Sequence, residues 1–317
     1  MEMDLRQLKY FIAVAEEGHI TRAAERLGMQ QPPLSQRIKK IEQQLDVKLF
    51  HRKARGVELT EAGRALLENA RVMIAQFEHA IETTRRTARG EQGRISVGVT
   101  PTSLFHPFVP RVIRAFRQAY PLVSLALEEC FSNELVELLR SERIDAAFIR
   151  TPPTDPQGLA MDSLLDEELV VALPNDHVLA QSGGGGDAAL PLKALARETF
   201  NILGSQDGLG LYMTTIAACR AAGFTPNIGQ EASRLASTLN LVAIGSGISV
   251  VPASLRRMQI DGVAYRRFKG PGQLKSPLIL ASRRGDPSAV VRRFLNLVKR
   301  TETSLSATTY LLLCLGL

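Results

Sequence analysis

The stretch TRAAERLGMQQPPLSQRIKKIEQQLDVKLFHRKARGVELT, residues 21–60, decides how the first part of the chain is built. Leu34, Ile38, Ile41 and Leu45 recur at helical spacing. Pro32 and Pro33 fall in the first turn of that helix, where a missing N–H costs least, and Gln30 and Gln31 lead into it. Upstream, Ala23, Ala24 and Leu27 form the buried face of a shorter helix, with Thr21 as its cap and Gly28 as its stop. Two short helices joined at Gly28 and Met29 make a helix-turn-helix. A further helix precedes them, striped by Leu5, Leu8, Phe11, Ile12 and Ala15 and ended by Gly18. Downstream, Lys48-Leu49-Phe50 and Val57-Glu58-Leu59 read as short strands around a basic turn, residues 51–56, which predicts a β-hairpin wing.

The outward face of the proline-led helix carries Gln31, Ser35, Gln36, Lys39 and Lys40. Glutamine can pair bidentately with adenine, serine both gives and accepts hydrogen bonds, and lysine suits guanine or phosphate. Any solvated helix also has a polar face. The wing tips the reading, because Arg52 and Arg55 would stand beside the phosphates of a duplex whose major groove holds that helix. Charge adds little: the chain carries +7, and its first 60 residues hold eleven Lys/Arg against eight Asp/Glu, a surplus of three. A basic balance favours polyanions only weakly.

From Thr60, a helix N-cap, to about Arg89 the pattern is one long helix. Leu66, Ala70, Met73, Phe77, Ala80 and Thr84 follow a 4-3-4-3-4 spacing, the a/d seam of a coiled coil. Leu67, Ile74 and Ile81 widen it. Such a helix either pairs with a second copy of itself or packs on its own chain; pairing presents two reading heads to a pseudo-palindromic site on double-stranded DNA. The interface expected from the pattern is Leu66, Ala70, Met73, Phe77, Ala80 and Ile81.

Beyond Gly90 and Gly93, β-branched runs alternate with helical ones. Strands are expected near residues 94–99, 123–128, 144–149, 169–173, 224–231, 248–251 and 278–281, with helices near 108–118, 133–141, 235–244 and 289–299. This rhythm predicts a parallel sheet flanked by helices, in two α/β lobes. Ligands collect at the carboxyl ends of parallel strands. Thr102 and Ser103, Ser132, and Arg150 follow three such strands, and Gly204, Ser205 and Gln206 follow the strand-like residues 200–203. Hydroxyls and backbone N–H groups suit a carboxylate, and an arginine can hold one bidentately. The expected ligand is a small carboxylate, either an aromatic acid or a ring-cleavage product, with a non-carboxylate metabolite as the alternative. A plainer reading stands beside it: Thr102 and Ser132 cap helices, and Arg150 pairs with an acid.

Other function classes find little support. There is no Gly-x-Ser-x-Gly elbow, phosphate-loop lysine or paired metal-ligand histidine, so neither an enzyme, a cofactor nor a metal site is expected. Gly183 to Gly186 reads as a loop. Cys130, Cys219 and Cys314 are too few and scattered for a disulfide framework. No apolar run approaches the ~20 residues that span a bilayer. The N-terminus MEMDLRQLKY lacks the make-up of a signal peptide, so a cytoplasmic location is expected and a solute-binding protein is not. The apolar tail, residues 301–317, has no assigned role.

Ala23, Ala24, Leu27, Gln31-Pro-Pro-Leu-Ser35, Ile38, Ile41-Glu42, Leu45, Leu49-Phe50, Arg52 and Leu59-Thr60-x-Ala62-Gly63 resemble the LysR-type transcriptional regulators. The resemblance runs from about Leu5 to about Lys299. It implies an α+β chain: a winged helix-turn-helix (1–58), a dimerising linker helix (59–90), and an effector-binding domain (91–300) of two α/β lobes like a periplasmic binding protein. Lobe I would be about 91–162 with 268–300, and lobe II about 163–267. It also implies a tetramer, a ligand between the lobes, and RNA polymerase as a contact if the protein activates. By matching position, Gln31, Pro32, Pro33, Ser35, Gln36 and Arg52 would read DNA. Gln36 stands where many relatives have arginine, and Gln30 replaces a common capping serine. Leu104-Phe105, Arg117-Gln118-Ala119, Arg143-Ile-Asp-Ala146 with Phe148 and Arg150, and Gly247-Ile-Ser-x-Val-Pro-Ala-Ser254 are similar to the muconate- and benzoate-responsive branch. The pocket proline and phenylalanine of muconate binders are missing; Gly204 and Leu211 stand near there.

Overall fold

The computed structural model describes residues 3–181, 189–204, 209–232, 234–269 and 274–314. The chain falls into two compact units, Met1–Arg86 and Thr87–Leu317.

The first unit opens with α1 (Leu5–Glu17), α2 (Ile20–Arg26) and α3 (Gln31–Leu45). Asp4 and Gln7 form a reciprocal capping box at the start of α1, and Gly18 ends it in the left-handed conformation. The sequence reading put the α2 cap at Thr21; the structure puts it at His19, whose extended backbone brings Nδ1 to the Thr21 N–H, 3.3 Å away. Leu8, Phe11, Val14, Ala23, Ala24, Leu34, Ile38 and Ile41 close the core with Leu49 and Phe50. The Phe11 and Phe50 rings lie 5.4 Å apart.

The wing is an antiparallel pair, β1 (Phe50–Lys53) and β2 (Gly56–Leu59), with Phe50 opposite Leu59 and Lys53 opposite Gly56. The turn is therefore Ala54-Arg55 alone. His51 to Lys53, expected in the turn, belong to the strand because they find partners in residues 56–58. Gly56 is required as glycine: at φ +128° a Cβ there would stand 2.3 Å from the Gly18 carbonyl oxygen. That same oxygen accepts the Val57 N–H at 2.9 Å, which pins the wing to the end of α1.

Thr60 Oγ1 accepts the Gly63 N–H at 2.9 Å and caps α4 (Glu61–Arg89), a helix of 29 residues and about 44 Å. Its expected seam divides. Ala70 is fully buried in the core of its own unit, and Leu66, Leu67 and Ile74 pack there as well. Ala70 thus has no surface left for a partner, a correction to the interface read from spacing. Met73, Phe77 and Ile81, at 41%, 44% and 37% exposure, and Ala80 remain in solvent.

The second unit contains β3 (Gln92–Val99), α5 (Pro101–Phe105), α6 (Phe108–Ala119), β4 (Leu122–Glu129), α7 (Ser132–Arg140), β5 (Ala146–Ile149), β6 (Leu159–Pro174), α8 (Val178–Gln181) and β7 (Leu190–Pro191). Then come β8 (Thr199–Leu203), α9 (Leu209–Ala221), β9 (Asn227–Ala232), α10 (Leu235–Ala243), β10 (Ser249–Pro252), β11 (Val263–Lys269), β12 (Lys275–Arg283) and α11 (Ala289–Cys314). The main sheet runs β4-β3-β5-β12-β6-β11-β7, with β10 also on β6; β8 and β9 pair separately. The expected parallel sheet holds for β4, β3 and β5. It fails at β12, which is antiparallel to both β5 and β6.

The first half of β6 pairs with β12, and its second half pairs with β10 and β11. One strand therefore runs through two lobes. In the first, α6 and α11 cover one sheet face around Phe108, Phe116, Phe148 and Phe294, and α7 covers the other through Leu135 and Leu139. In the second, Val171, Leu195, Phe200 and Ile248 form one cluster, and Val170, Leu239 and Val251 another. Helix α11 continues to Cys314, so residues 301–314 extend the closing helix instead of starting a separate tail. Among the described residues no helix is long and apolar enough to cross a membrane, and no group of His, Cys, Asp or Glu could hold a metal ion.

Candidate functional site

Helix α3 turns Leu34, Ile38 and Ile41 inward and leaves Gln31, Pro32, Pro33, Gln36 and Lys39 exposed, with Ser35 half-buried. Gln30 is the N-cap and makes no side-chain cap bond. Arg37 is engaged elsewhere, its guanidinium 5.0 Å over the Tyr10 ring. On the wing Arg52 and Arg55 stand exposed, and Lys53 pairs with Glu58 at 3.0 Å. Ser35, Lys39 and Arg52 line one groove of about 240 Å³ between helix and wing. Sequence reasoning put these three on one surface, and the structure brings them together.

It missed the residue that fixes their spacing. Glu42 lies on the buried stripe of α3. Its Oε1 accepts the N–H groups of Leu49 (2.9 Å) and Phe50 (3.3 Å), and Oε2 accepts from Lys48 Nζ at 3.1 Å. Burial works against its charge, but the Leu49 N–H, Lys48 and the Phe50 N–H outweigh that and hold the carboxyl below its ordinary value. A depressed folded-state value adds stability above the unfolded value of 4.5, and that stability is lost as pH falls through the folded one. Glu42→Gln should therefore cost about 1–3 kcal/mol at pH 7. In urea unfolding at stepped pH the gap to the unsubstituted chain should close below about 4.5; a gap constant down to pH 3 would reject the anchor.

In the second unit Thr102, Ser132 and Arg150 meet at a cavity of about 40 Å³, with Thr100, Thr151, Leu203, Gly210 and Leu211 among its walls. Three of the expected ligand residues are thus neighbours. Arg150, however, forms a buried ion pair: Nη2 donates to Glu167 Oε2 at 2.5 Å and to the Thr102 carbonyl at 3.2 Å, and Nη1 donates to the Ser276 carbonyl at 3.4 Å. Burial pulls its pKa below the ordinary value, against the pull of Glu167. The expectation that Arg150 holds a carboxylate through its bidentate fork fails, because the fork is occupied. Its Nε remains buried without a partner.

Ser132 Oγ accepts the N–H groups of Arg150 (3.2 Å) and Thr151 (3.3 Å). Ser103 is corrected: it is fully buried, and its hydroxyl donates to the Thr100 carbonyl at 2.9 Å, inside the fold. The helix α5 cap is Thr100, not Thr102. Gly204 is buried, with its N–H on the Ala232 carbonyl; it adjoins the cavity through Leu203 without lining it. Ser205 and Gln206 lie outside the described residues. Thr100, Thr151, Gly210 and Glu167 were missed. None of them left a distinct signal: Glu167 is the middle of three consecutive acids, Asp166-Glu167-Glu168, just before the apolar run 169–173, and nothing in the pattern marks it as the buried one. Cys219 is buried, and burial pushes its thiol up to about 11, so it is no nucleophile.

A winged helix-turn-helix carried on a long helix, followed by a two-lobed unit with a hydroxyl-lined cavity, is the build of a ligand-responsive DNA-binding regulator. The chain belongs to the LysR family of transcriptional regulators. Residues 5–64 match the bacterial regulatory helix-turn-helix of that family, and residues 88–302 match the LysR substrate binding domain. The chain is 35% identical over 301 residues to the transcriptional regulator AlsR of Bacillus subtilis (strain 168), covering 95% of this chain and 97% of that one. Its fold is similar to that of full-length CbnR solved with its target DNA (TM-score 0.81, 31% identity, 95% of this chain and 100% of that chain). It is also similar to the BenM effector binding domain with its effector benzoate (TM-score 0.59, 28% identity, 68% of this chain and 93% of that chain). These relatives are regulators, not enzymes.

Proposed function

We propose that this regulator reads a pseudo-palindromic site on double-stranded DNA and is switched by a small carboxylate. The observation that carries the first part is the shared groove of Ser35, Lys39 and Arg52 beside the exposed start of α3. Gln30, Gln31, Pro32, Pro33, Ser35 and Gln36 face the major groove, Lys39 meets its edge, and Arg52 and Arg55 meet phosphates. Met73, Phe77, Ala80 and Ile81 pair two copies along α4, and two such pairs make a tetramer with reading heads at fixed spacing. Residues 1–58 read, 59–90 link, and 91–300 sense. Such a protein works in the cytoplasm, with RNA polymerase as its contact if it activates.

The cavity supports the carboxylate. Its hydroxyls already accept backbone N–H groups and are left to donate, and benzoate, the effector of the similar BenM domain, is a carboxylate. The ligand favours one arrangement of the lobes and shifts its population. Footprinting on the region beside the protein's own gene, with and without carboxylates, tests this. A discrete footprint that one acid changes is expected. A footprint indifferent to every acid but changed by a neutral metabolite would replace the effector class, and no footprint at low salt would overturn the reading of α3.

A further inference from the structure

We infer that the cavity takes a short aliphatic carboxylate, and that the contact between Gly210 and Thr151 sets the size limit. This rests on the cavity being the effector site, and narrows its ligand.

Size comes first. A space of about 40 Å³ holds roughly three water-sized spheres at ~10–15 Å³ each, whereas a cavity that binds benzene measures ~150 Å³. An acid of about two to four carbons is the most such a space accepts, and an aromatic ring is too large for it.

Polarity comes second. Ser132 Oγ takes up the N–H groups of Arg150 and Thr151, and Thr100 Oγ1 takes up the N–H of Ser103. Each hydroxyl keeps its proton to give. Arg150 also lines the cavity, but its Nη atoms are held by Glu167, Thr102 and Ser276 and its Nε is itself buried, so the two hydroxyls are the donors that face the space. The polar walls are therefore donors in want of an acceptor, and a carboxylate supplies acceptors alone. Leu203 and Leu211 leave apolar wall for a short alkyl stub.

The third point is the partition. Outside the cavity lies a groove of about 850 Å³ that shares Ser132, Thr151 and Gly210 with it. Glu128, Glu134, Glu137 and Asp155 outnumber Arg140 and Arg143 along that groove, and Arg140 is already paired with Glu137, which makes it a poorer seat for an anion. Gly210 stands at the start of α9 against Thr151 of the other lobe, so close that a Cβ on it would lie 1.7 Å from Thr151 Oγ1. Only glycine lets the two walls meet. The missing side chain is what keeps the inner space small.

Isothermal titration of the full chain with acetate, propionate, benzoate and acetamide tests the inference. Acetate and propionate should bind at least tenfold tighter than benzoate and acetamide. Gly210→Ala should push the walls apart and cut the preference for acetate over benzoate tenfold or more. Leu211→Ala, which enlarges the same space without touching Thr151, should do likewise if the first variant does not fold. Benzoate binding as tightly as acetate would overturn the size limit and keep the carboxylate. Acetamide matching acetate would overturn the carboxylate. An unchanged preference in both variants would overturn the partition, and no binding by any probe would overturn the effector site itself.

Discussion

Glu167→Ala is expected to destabilise the second unit by about 3–5 kcal/mol, the usual cost of removing one partner from a buried ion pair. The Glu167 and Arg150 side chains are 5% and 8% exposed and meet at 2.5 Å. Glu167 lies on β6, the strand common to both lobes. Arg150 follows β5 in the first lobe, and Ser254, whose N–H reaches Glu167 Oε1 at 2.6 Å, belongs to the second. Truncation leaves a guanidinium in a low dielectric and a backbone N–H without its acceptor. The double change Arg150→Met with Glu167→Leu removes both charges and keeps the volume, so most of the loss should return. Urea unfolding of the three variants checks this. A loss below 1 kcal/mol in Glu167→Ala, or no recovery in the double variant, would mean that water screens the pair. Because the bridge spans β5, β6 and the turn at Ser254, single-variant loss should appear as one cooperative shift of the unit.

The sequence disclosed most where one side chain pattern had one structural meaning. Leu34, Ile38 and Ile41 repeat at helical spacing and stand buried on α3, which left its polar face legible too. The wing was legible in outline, but its turn was overestimated because basic residues His51 to Lys53 look like loop while pairing as strand. Strand direction was not legible: the apolar residues of β12 satisfy parallel and antiparallel neighbours alike, and only the long β6 shows that the chain returns antiparallel. Helix α9 was hidden by Gly208 and Gly210 and by an apolar make-up with no polar face. Strand β11 was hidden by Arg266, a charged residue that is nevertheless 2% exposed. The cavity was half legible. Strand ends located Thr102, Ser132 and Arg150, but the Arg150–Glu167 pair depends on β6 lying two strands from β5, across β12, which no local pattern records. Thr102 and Ser103 are consecutive in the short helix α5, so one faces the cavity and the other the fold, and spacing alone does not say which.

On the proposed DNA reading, Gln31 and Arg52 should fail differently. Gln31 is the first residue of α3, exposed, with Pro32 and Pro33 fixing the backbone beside it. A helix entering the major groove presents its N-terminal side chains to base edges, so Gln31→Ala should lose ~1–3 kcal/mol of discrimination between matched and scrambled sites if the contact is bidentate. Arg52 stands on the wing, held at its distance from α3 by Glu42 below and Gly18 behind. A phosphate contact carries no base information. Arg52→Ala should therefore weaken matched and scrambled sites alike and lower the salt slope by about one ion. Fluorescence anisotropy on both duplexes across several salt concentrations separates the two. The assignment fails if Arg52→Ala erodes discrimination as much as Gln31→Ala does, because the wing would then be reading bases and α3 would be the element that merely positions it.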